Sequence, residues 1–370
     1  MPNFLLLVRA YLDCRKRKRN TFNALRFEFY QEDNIRELHS QLLSEKYNIG
    51  KSICFLVFQP KIREIWAADF RDRVVHHLVY NEISELFYNR FTKDTYSCIP
   101  KRGSTNAIKT LDGYIKAITH NYQRSAYYLK ADIENFFVSI NKDILYREVT
   151  KLVDKEWVLK LLSQIIYHDC RKKVTVQTTK SSFKKLPKYK SLWYAPDNKG
   201  LPIGNLTSQF FSNVYLNVMD QYVKHHWRCK YYCRYVDDFV ILDTDPQKLN
   251  EIHNDLTRFL KKRLDLNLHQ NKKSINKTER GIDFVGFVQK PYRCVMRQKT
   301  LKKVFRKIRE FKASPTWYES MQDYVNSINS YLGMLRNTNG YKLRKKICCM
   351  SINLFIGCDE DFTKLFVRKK

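Results

Sequence analysis

Apolar positions change period several times along the chain, and each change marks an element. Residues 1–50 carry apolar side chains at helical spacing, with a basic stretch from Arg15 to Arg19. Residues 53–58 form a strand-like run that leads into Pro60. Over 69–91, Val74, Val75, Leu78, Val79, Ile83, Leu86 and Phe87 recur at helical spacing, which predicts a long helix. Turn-forming residues fill 93–105, and a helix resumes near Asn106. Residues 127–131 read as a buried strand ending at Asp132. Helical periodicity returns over 142–167, 206–227 and 247–264; two short strands are expected over 231–242 and one over 282–288. The tail, 297–370, reads as helical. Strand–helix–strand–strand–helix–strand in the middle of the chain predicts an α+β fold, with helices on one face of an antiparallel sheet.

Composition narrows what such a fold can do. The chain has 68 Lys+Arg against 37 Asp+Glu, a net charge of +31. An excess of that size seeks an anionic partner, and nucleic acid is the natural one because each cation on a phosphate releases a counterion. With 44% hydrophobic residues the chain can build a sizeable core, which excludes disorder as its main state. The charge is uneven. Residues 171–199 hold nine Lys/Arg and one acid, Asp197, and residues 297–370 hold 17 Lys/Arg and six acids. The early apolar run, residues 4–8, is too short to span a membrane and lacks the features of a signal peptide, so no membrane partner is expected. Ten scattered cysteines form no paired metal-binding pattern, and reduced thiols in a cytoplasmic protein are expected.

Acids stand in two places where burial makes them costly. Asp132 closes an apolar strand and is followed by Phe136 and Phe137. Asp237 and Asp238 sit between two apolar strands. Neighbouring side chains on a strand point to opposite faces, so both acids share a site only in a tight turn, which Asp tolerates. Clustered carboxylates repel unless cations join them, and oxygen ligands of this kind suit Mg²⁺. Two such ions about 3.5–4 Å apart support phosphoryl transfer. On a basic chain this points to nucleotide polymerisation.

These segments resemble the boxes of the reverse transcriptases. Tyr235-Val236-Asp237-Asp238 is similar to their YxDD box. Asp132 with Phe136-Phe137 resembles the strand that bears the third carboxylate. Leu201 to Gln209 resembles the segment under the incoming nucleotide and template, and Leu266 to Ser274 the lysine motif. Gly281 to Phe287 resembles the primer-grip hairpin. The boxes occur in family order over roughly residues 50–290.

The resemblance implies a right-hand polymerase with fingers, palm and thumb. Its palm would carry an RRM-like, ferredoxin-like antiparallel sheet, and its thumb would be helical. The implied divisions are an N-terminal helical extension (1–50), fingers and palm (51–295, with the basic insertion 171–199) and a basic helical thumb (296–370). Asp132, Asp237, Asp238 and the carbonyl of Ile133 would hold two Mg²⁺ ions, with dNTPs as substrates. Phe137, with Phe136 beside it, would form the gate that rejects a 2′-hydroxyl. Lys61, Arg63 and Arg71, with Arg73 close behind, would meet the triphosphate, and Ile203, Gly204 and Gln209 would lie at the nucleotide. Either Lys272 or Lys273 would protonate the departing pyrophosphate. Lys101, Arg102, Gly103, Ser208, Tyr235 and Gly286 would contact template or primer. Fingers, palm and thumb fill the length, so no RNase H or endonuclease domain is expected.

One departure narrows the family. Most reverse transcriptases have Gln before the Gly and Pro after the Ser of the second box, where this chain has Ile203 and Gln209. The form Ile-Gly-Asn-Leu-Thr-Ser-Gln resembles the reverse transcriptases of diversity-generating retroelements. These copy a template-repeat RNA, with structured flanking RNA, into cDNA with frequent errors at adenines. They work with a small basic accessory variability protein that forms a pentameric barrel. That resemblance implies a bacterial, archaeal or phage-encoded enzyme. The alternatives are a retron-type or phage-defence reverse transcriptase and, from another class, an RNA-binding protein with an inactive polymerase fold.

Overall fold

In a computed structural model of the chain, described over residues 1–16, 21–59, 61–313 and 321–368, the N-terminal segment folds as three helices. They are α1 (Phe4–Arg15), α2 (Phe22–Phe29) and α3 (Gln31–Leu43). Part of the expected basic stretch, residues 17–19, lies outside the described residues, as does Pro60. The chain continues through β1 (Ser52–Val57), β2 (Arg63–Ala67), α4 (Phe70–Tyr88), α5 (Ser104–Ile118) and β3 (Tyr127–Asp132). The short α6 (Phe136–Ser139) follows. The helix expected over 142–167 is two, α7 (Lys142–Thr150) and α8 (Glu156–Tyr167), because the chain turns between them with Val153 tucked into the core.

The basic insertion contains β4 (Val174–Val176), the one-turn α9 (Lys180–Phe183) and two 3₁₀ turns. After it come α10 (Leu206–Gln221), β5 (Tyr231–Tyr235), β6 (Asp238–Asp243), α11 (Pro246–Leu264) and β7 (Ser274–Lys277). The strand expected over 282–288 is a hairpin of β8 (Ile282–Phe284) and β9 (Phe287–Lys290). Val285 and Gly286 turn it with φ of 51° and 88°. Positive φ at both central residues is what matches a two-residue turn to the twist of its strands. β10 (Arg293–Met296) extends that sheet.

The tail is helical over α12 (Gln298–Ala313), α13 (Met321–Leu335) and α14 (Tyr341–Ser351), and then departs from expectation. It ends in a hairpin of β11 (Ile356–Cys358) and β12 (Leu365–Val367). Asn329 of α13 anchors this hairpin, donating to the Leu365 carbonyl at 2.9 Å and accepting its N–H at 2.7 Å.

The chain forms two compact units, each discontinuous in sequence. The first comprises Met1–Pro100, Ala131–Lys230 and Ile252–Lys272; the second comprises Lys101–Lys130, Tyr231–Glu251 and Lys273–Lys370. In the first, α4 and α10 pack together, and Phe210 meets Tyr80, Phe87 and Phe91 edge-on or tilted. The sheet β2-β1-β4 belongs here. In the second, the antiparallel order β5-β6-β3-β7 forms the main sheet. The tail helices bury their own core there, with Phe311 stacked on Tyr324 at 3.8 Å. Among the described residues, no helix is long and apolar enough to cross a membrane. Among the described residues, no disulfide is formed.

Candidate active site

The turn that carries Asp237 is held by its neighbours. β5 and β6 pair from Tyr231↔Leu242 to Tyr235↔Asp238, leaving only Val236 and Asp237 to reverse the chain. Val236 has φ of 57°, a left-handed conformation that a β-branched residue rarely adopts and that such turns normally give to glycine. Arg234, fully buried, donates from Nη1 to the Val236 carbonyl at 2.8 Å and braces this geometry. Asp237 thus sits in the turn itself, and Asp238 is the first residue of β6.

Lys130, which the motif reading did not single out, faces Asp238. Its ammonium lies 3.3 Å from Asp238 Oδ2 and also donates to the backbone carbonyl of Asp283. Asp283 pairs with Arg297 through its carboxylate. The hairpin that bears Gly286 is thereby tied to the strand beside Asp238. Tyr235 is half-buried at the end of β5.

In the first unit, Asp132 ends β3 and carries the ammonium of Lys272 on its carboxylate. The backbone here is fixed by an antiparallel bridge, Ile133↔Leu268, flanked by His269 N–H donating to the Asp132 carbonyl at 2.9 Å and Glu134 N–H to the Asn267 carbonyl at 2.9 Å. Lys273 points elsewhere, donating to Asn250 Oδ1 at 2.5 Å. The two lysines that the sequence left equivalent therefore differ in their partners.

The segment from Leu201 to Gln209 is pinned in the same unit from two sides. Leu201 N–H donates to the Phe137 carbonyl at 2.8 Å, and Trp66 N–H of β2 donates to the Ile203 carbonyl at 2.7 Å. Asn205 caps the turn by accepting the Ala68 N–H at 3.0 Å. Gly204 has φ of 134°, and a Cβ there would stand 3.0 Å from the Trp66 carbonyl oxygen, so only glycine fits. Ile203 is half-buried. Gln209 is exposed, with its Oε1 3.7 Å from the Cys98 thiol, which joins it to the loop that precedes Lys101.

Three expected contacts are corrected by burial or by partners. Phe136 is 2% exposed and belongs to the core, leaving half-buried Phe137 as the ring of that pair with an open face. Ser208 is buried inside the packing of α10 and offers no surface to a template. Arg71 is engaged within the N-terminal helices. It stacks on Tyr47 at 5.1 Å, donates to Gln41 at 3.0 Å and to the Asn48 carbonyl, and pairs with buried Asp72 at 3.4 Å. Arg73 likewise donates to the Ala68 carbonyl at 2.8 Å. Lys61 and Arg63 are exposed at the start of β2. In the second unit, Lys101 is exposed and its carbonyl accepts from Asn106 at 2.8 Å. Gly103, with φ of 145°, lets the chain enter α5.

His76 has no role in the motifs, yet it supports α10 from below. It is buried on α4, with Nδ1 2.6 Å from Thr207 Oγ1. Burial, then the neighbouring charges of His77, His168 and Arg73, pushes its pKa down to about 3. The folded state keeps this imidazole neutral, while the unfolded chain protonates it below about 6.5. Unfolding then takes up a proton, so stability falls as pH drops through that window. Wild type should lose on the order of 2 kcal/mol more than His76→Asn between neutral pH and pH about 5. Urea midpoints at both pH values measure this, and equal losses in the two proteins would refute it.

Among the described residues, no group of three or more His, Cys, Asp or Glu stands ready to hold a metal ion. Asp132 and Asp238 each carry a lysine ammonium instead, so positive charge already sits on both carboxylates.

Residues 59–289, more than half of the chain, match the family model for reverse transcriptase (RNA-dependent DNA polymerase). The chain is 21% identical over 283 residues to Protein YkfC of Escherichia coli (strain K12), covering 67% of this chain and 69% of YkfC. Among solved structures it is similar to a telomerase from Candida albicans in complex with a fragment of telomeric RNA. That match has 13% identity and a TM-score of 0.47, over 81% of this chain and 62% of the other. It is also similar to an apo telomerase from Candida tropicalis, at 10% identity and a TM-score of 0.48, over 69% of this chain and 58% of the other. The chain thus spans about three fifths of the length of these telomerase chains.

Proposed function

The chain belongs to the reverse transcriptase family of RNA-directed DNA polymerases, and we propose that it is the error-prone member of a diversity-generating retroelement. It would copy a template-repeat RNA into cDNA mutated at adenines. The observation that carries this reading is the segment Leu201 to Gln209, whose Ile203 carbonyl accepts from Trp66 N–H on one side and whose Leu201 N–H donates to the Phe137 carbonyl on the other. An Ile at 203 presents branched hydrocarbon where a Gln would offer hydrogen bonds to the nucleotide or template. Checking of the nascent pair is weakened accordingly.

Reverse transcriptases use divalent metal ions and dNTPs. The donor set fits hard cations: three carboxylates, Asp132, Asp237 and Asp238, with the Ile133 carbonyl adjacent in sequence, two of them already attracting ammonium groups. These four residues would hold two Mg²⁺ ions, and the chemistry supplied there would be activation of the primer hydroxyl and charge stabilisation at the leaving pyrophosphate. The chain's own groups do the rest. Lys272, held on Asp132, is the proton donor to pyrophosphate, in preference to Lys273. Phe137 packs beneath the sugar and excludes a 2′-hydroxyl. Lys61, exposed just before β2, and Arg63, exposed at its start, meet the triphosphate, and Arg63 offers it a guanidinium fork. Lys101 and Arg102 follow the template backbone, and the β8–β9 hairpin at Gly286 seats the primer end. Fingers and palm occupy 51–295, and the basic tail 296–370 acts as the thumb on the duplex. The remaining partners in this reading are structured flanking RNA and a basic pentameric accessory protein, in the cytoplasm of a bacterium or archaeon.

Sequencing cDNA made from a defined RNA template with Mg²⁺ and dNTPs tests this directly. Errors should concentrate opposite template adenine. Ile203→Gln should lower them by about 5- to 100-fold, the worth of one specific contact at about 1–3 kcal/mol. An unchanged adenine error rate in that variant would rule out the role given to Ile203.

A further inference from the structure

The basic insertion builds a pocket lined by none of the residues assigned above to the polymerase site. Its cavity of about 760 Å³ lies in the first unit and is mostly apolar. That volume falls within the range of small-ligand sites. Phe183, Trp193 and Tyr194 line it together with Lys180, Lys184 and Lys188; among the described residues, no acidic side chain does. The back wall is built in advance. Trp193 packs on Trp66 at 4.8 Å, and Ser191 and Leu192, just before it, are held by the buried Glu64 carboxylate at 2.5 and 2.9 Å. The front wall is open. Tyr194 is 63% exposed, and the Lys188 ammonium lies 5.4 Å from the centre of its ring.

Aromatic rings and lysines around one cavity select for a ligand that has both a flat π-system and an anionic group. A phosphate alone has no use for the rings, and a hydrocarbon has none for the lysines. We propose that this pocket binds an unpaired nucleotide of an RNA strand, its base on the rings of Tyr194 and Phe183 and its phosphate against Lys180, Lys184 and Lys188. A base inside a duplex is already stacked and shows no face to such a pocket, so the site reads single-stranded RNA. It thereby gives the enzyme a hold on RNA outside the template–primer duplex. This inference rests on the chain's RNA-dependent chemistry only for the source of the strand.

The full chain is first saturated with a template–primer duplex, and binding of a short fluorescent oligouridine is then followed by anisotropy. Tyr194→Ala should weaken that binding by about 5- to 100-fold, the range for stacking one base on an aromatic ring. Lys184→Glu should weaken it too, and more at low salt than at high salt. A 4-thiouridine probe should crosslink to Phe183, Trp193 or Tyr194. Primer extension on the annealed duplex should stay at the wild-type rate in Tyr194→Ala. Unchanged oligouridine affinity, crosslinks confined to other segments, or equal losses for duplex and single strand would overturn the pocket. Failure of the wild type to extend the primer would instead count against the polymerase reading and leave the crosslinking result standing.

Discussion

Asp237→Asn should abolish primer extension, by about a thousandfold or more, while leaving the fold intact. The size follows from its position. A carboxylate that holds a catalytic cation contributes several kcal/mol to the transition state, and about 4 kcal/mol corresponds to a factor near a thousand. Asparagine has the same shape, and the turn has holds besides this carboxylate. It is closed by the Tyr235↔Asp238 pair, by the left-handed Val236 and by the Arg234 bond to the Val236 carbonyl. Thermal melting of the variant should therefore match wild type while incorporation of dNTPs on an RNA template disappears. Equal incorporation by the two proteins would remove the catalytic assignment and leave an RNA-binding protein with an inactive polymerase fold.

Glu64→Ala should be the most damaging change to stability, at about 3–5 kcal/mol, the cost of breaking a buried network that involves a charge. Glu64 is 4% exposed on β2, and its carboxylate accepts from Trp66 Nε1 at 2.5 Å, Ser191 Oγ at 2.5 Å and Leu192 N at 2.9 Å. Alanine strands three buried donors and opens a cavity between β2 and the insertion. Glu64→Gln supplies a sharper contrast. Its remaining oxygen serves Trp66 and Leu192, and its amide donates to the Ser191 hydroxyl, which accepts as readily as it donates. It should lose no more than about 1.5 kcal/mol, the net worth of a typical hydrogen bond. Urea unfolding followed by tryptophan fluorescence separates the two variants. If Gln and Ala cost the same, the network does not hold the insertion.

The same residue shows why apolar periodicity does not mark β2, which only the family resemblance indicates as a fingers strand. An acid at a core position breaks the apolar alternation, so Arg-Glu-Ile-Trp-Ala does not read as a strand until the partners of Glu64 are known. β7 escaped for a related reason: Ser-Ile-Asn-Lys has no apolar face and is recruited by pairing with β3. The terminal hairpin depends on Asn329, 36 residues from Leu365, and no local pattern carries that bond. Lys130 and Arg234 were hidden because each is a single cation among apolar strand residues. Their chemistry comes from what stands across the sheet or around the turn.

Local periodicity was enough for the long helices α4, α10 and α11, because a helix buries one face at a spacing that the chain itself displays. Local motif order was enough for the family, since Asp132, Asp237 and Asp238 stand out as acids in apolar surroundings. The +31 charge was likewise legible as a preference for nucleic acid. Tertiary structure decided which members of each motif are available for chemistry. It took Arg71, Phe136 and Ser208 out of reach, separated Lys272 from Lys273, and folded the basic insertion into a walled pocket. Those outcomes rest on contacts between residues far apart in sequence. Burial and partners assign a side chain its role, and both exist only once the chain has closed on itself.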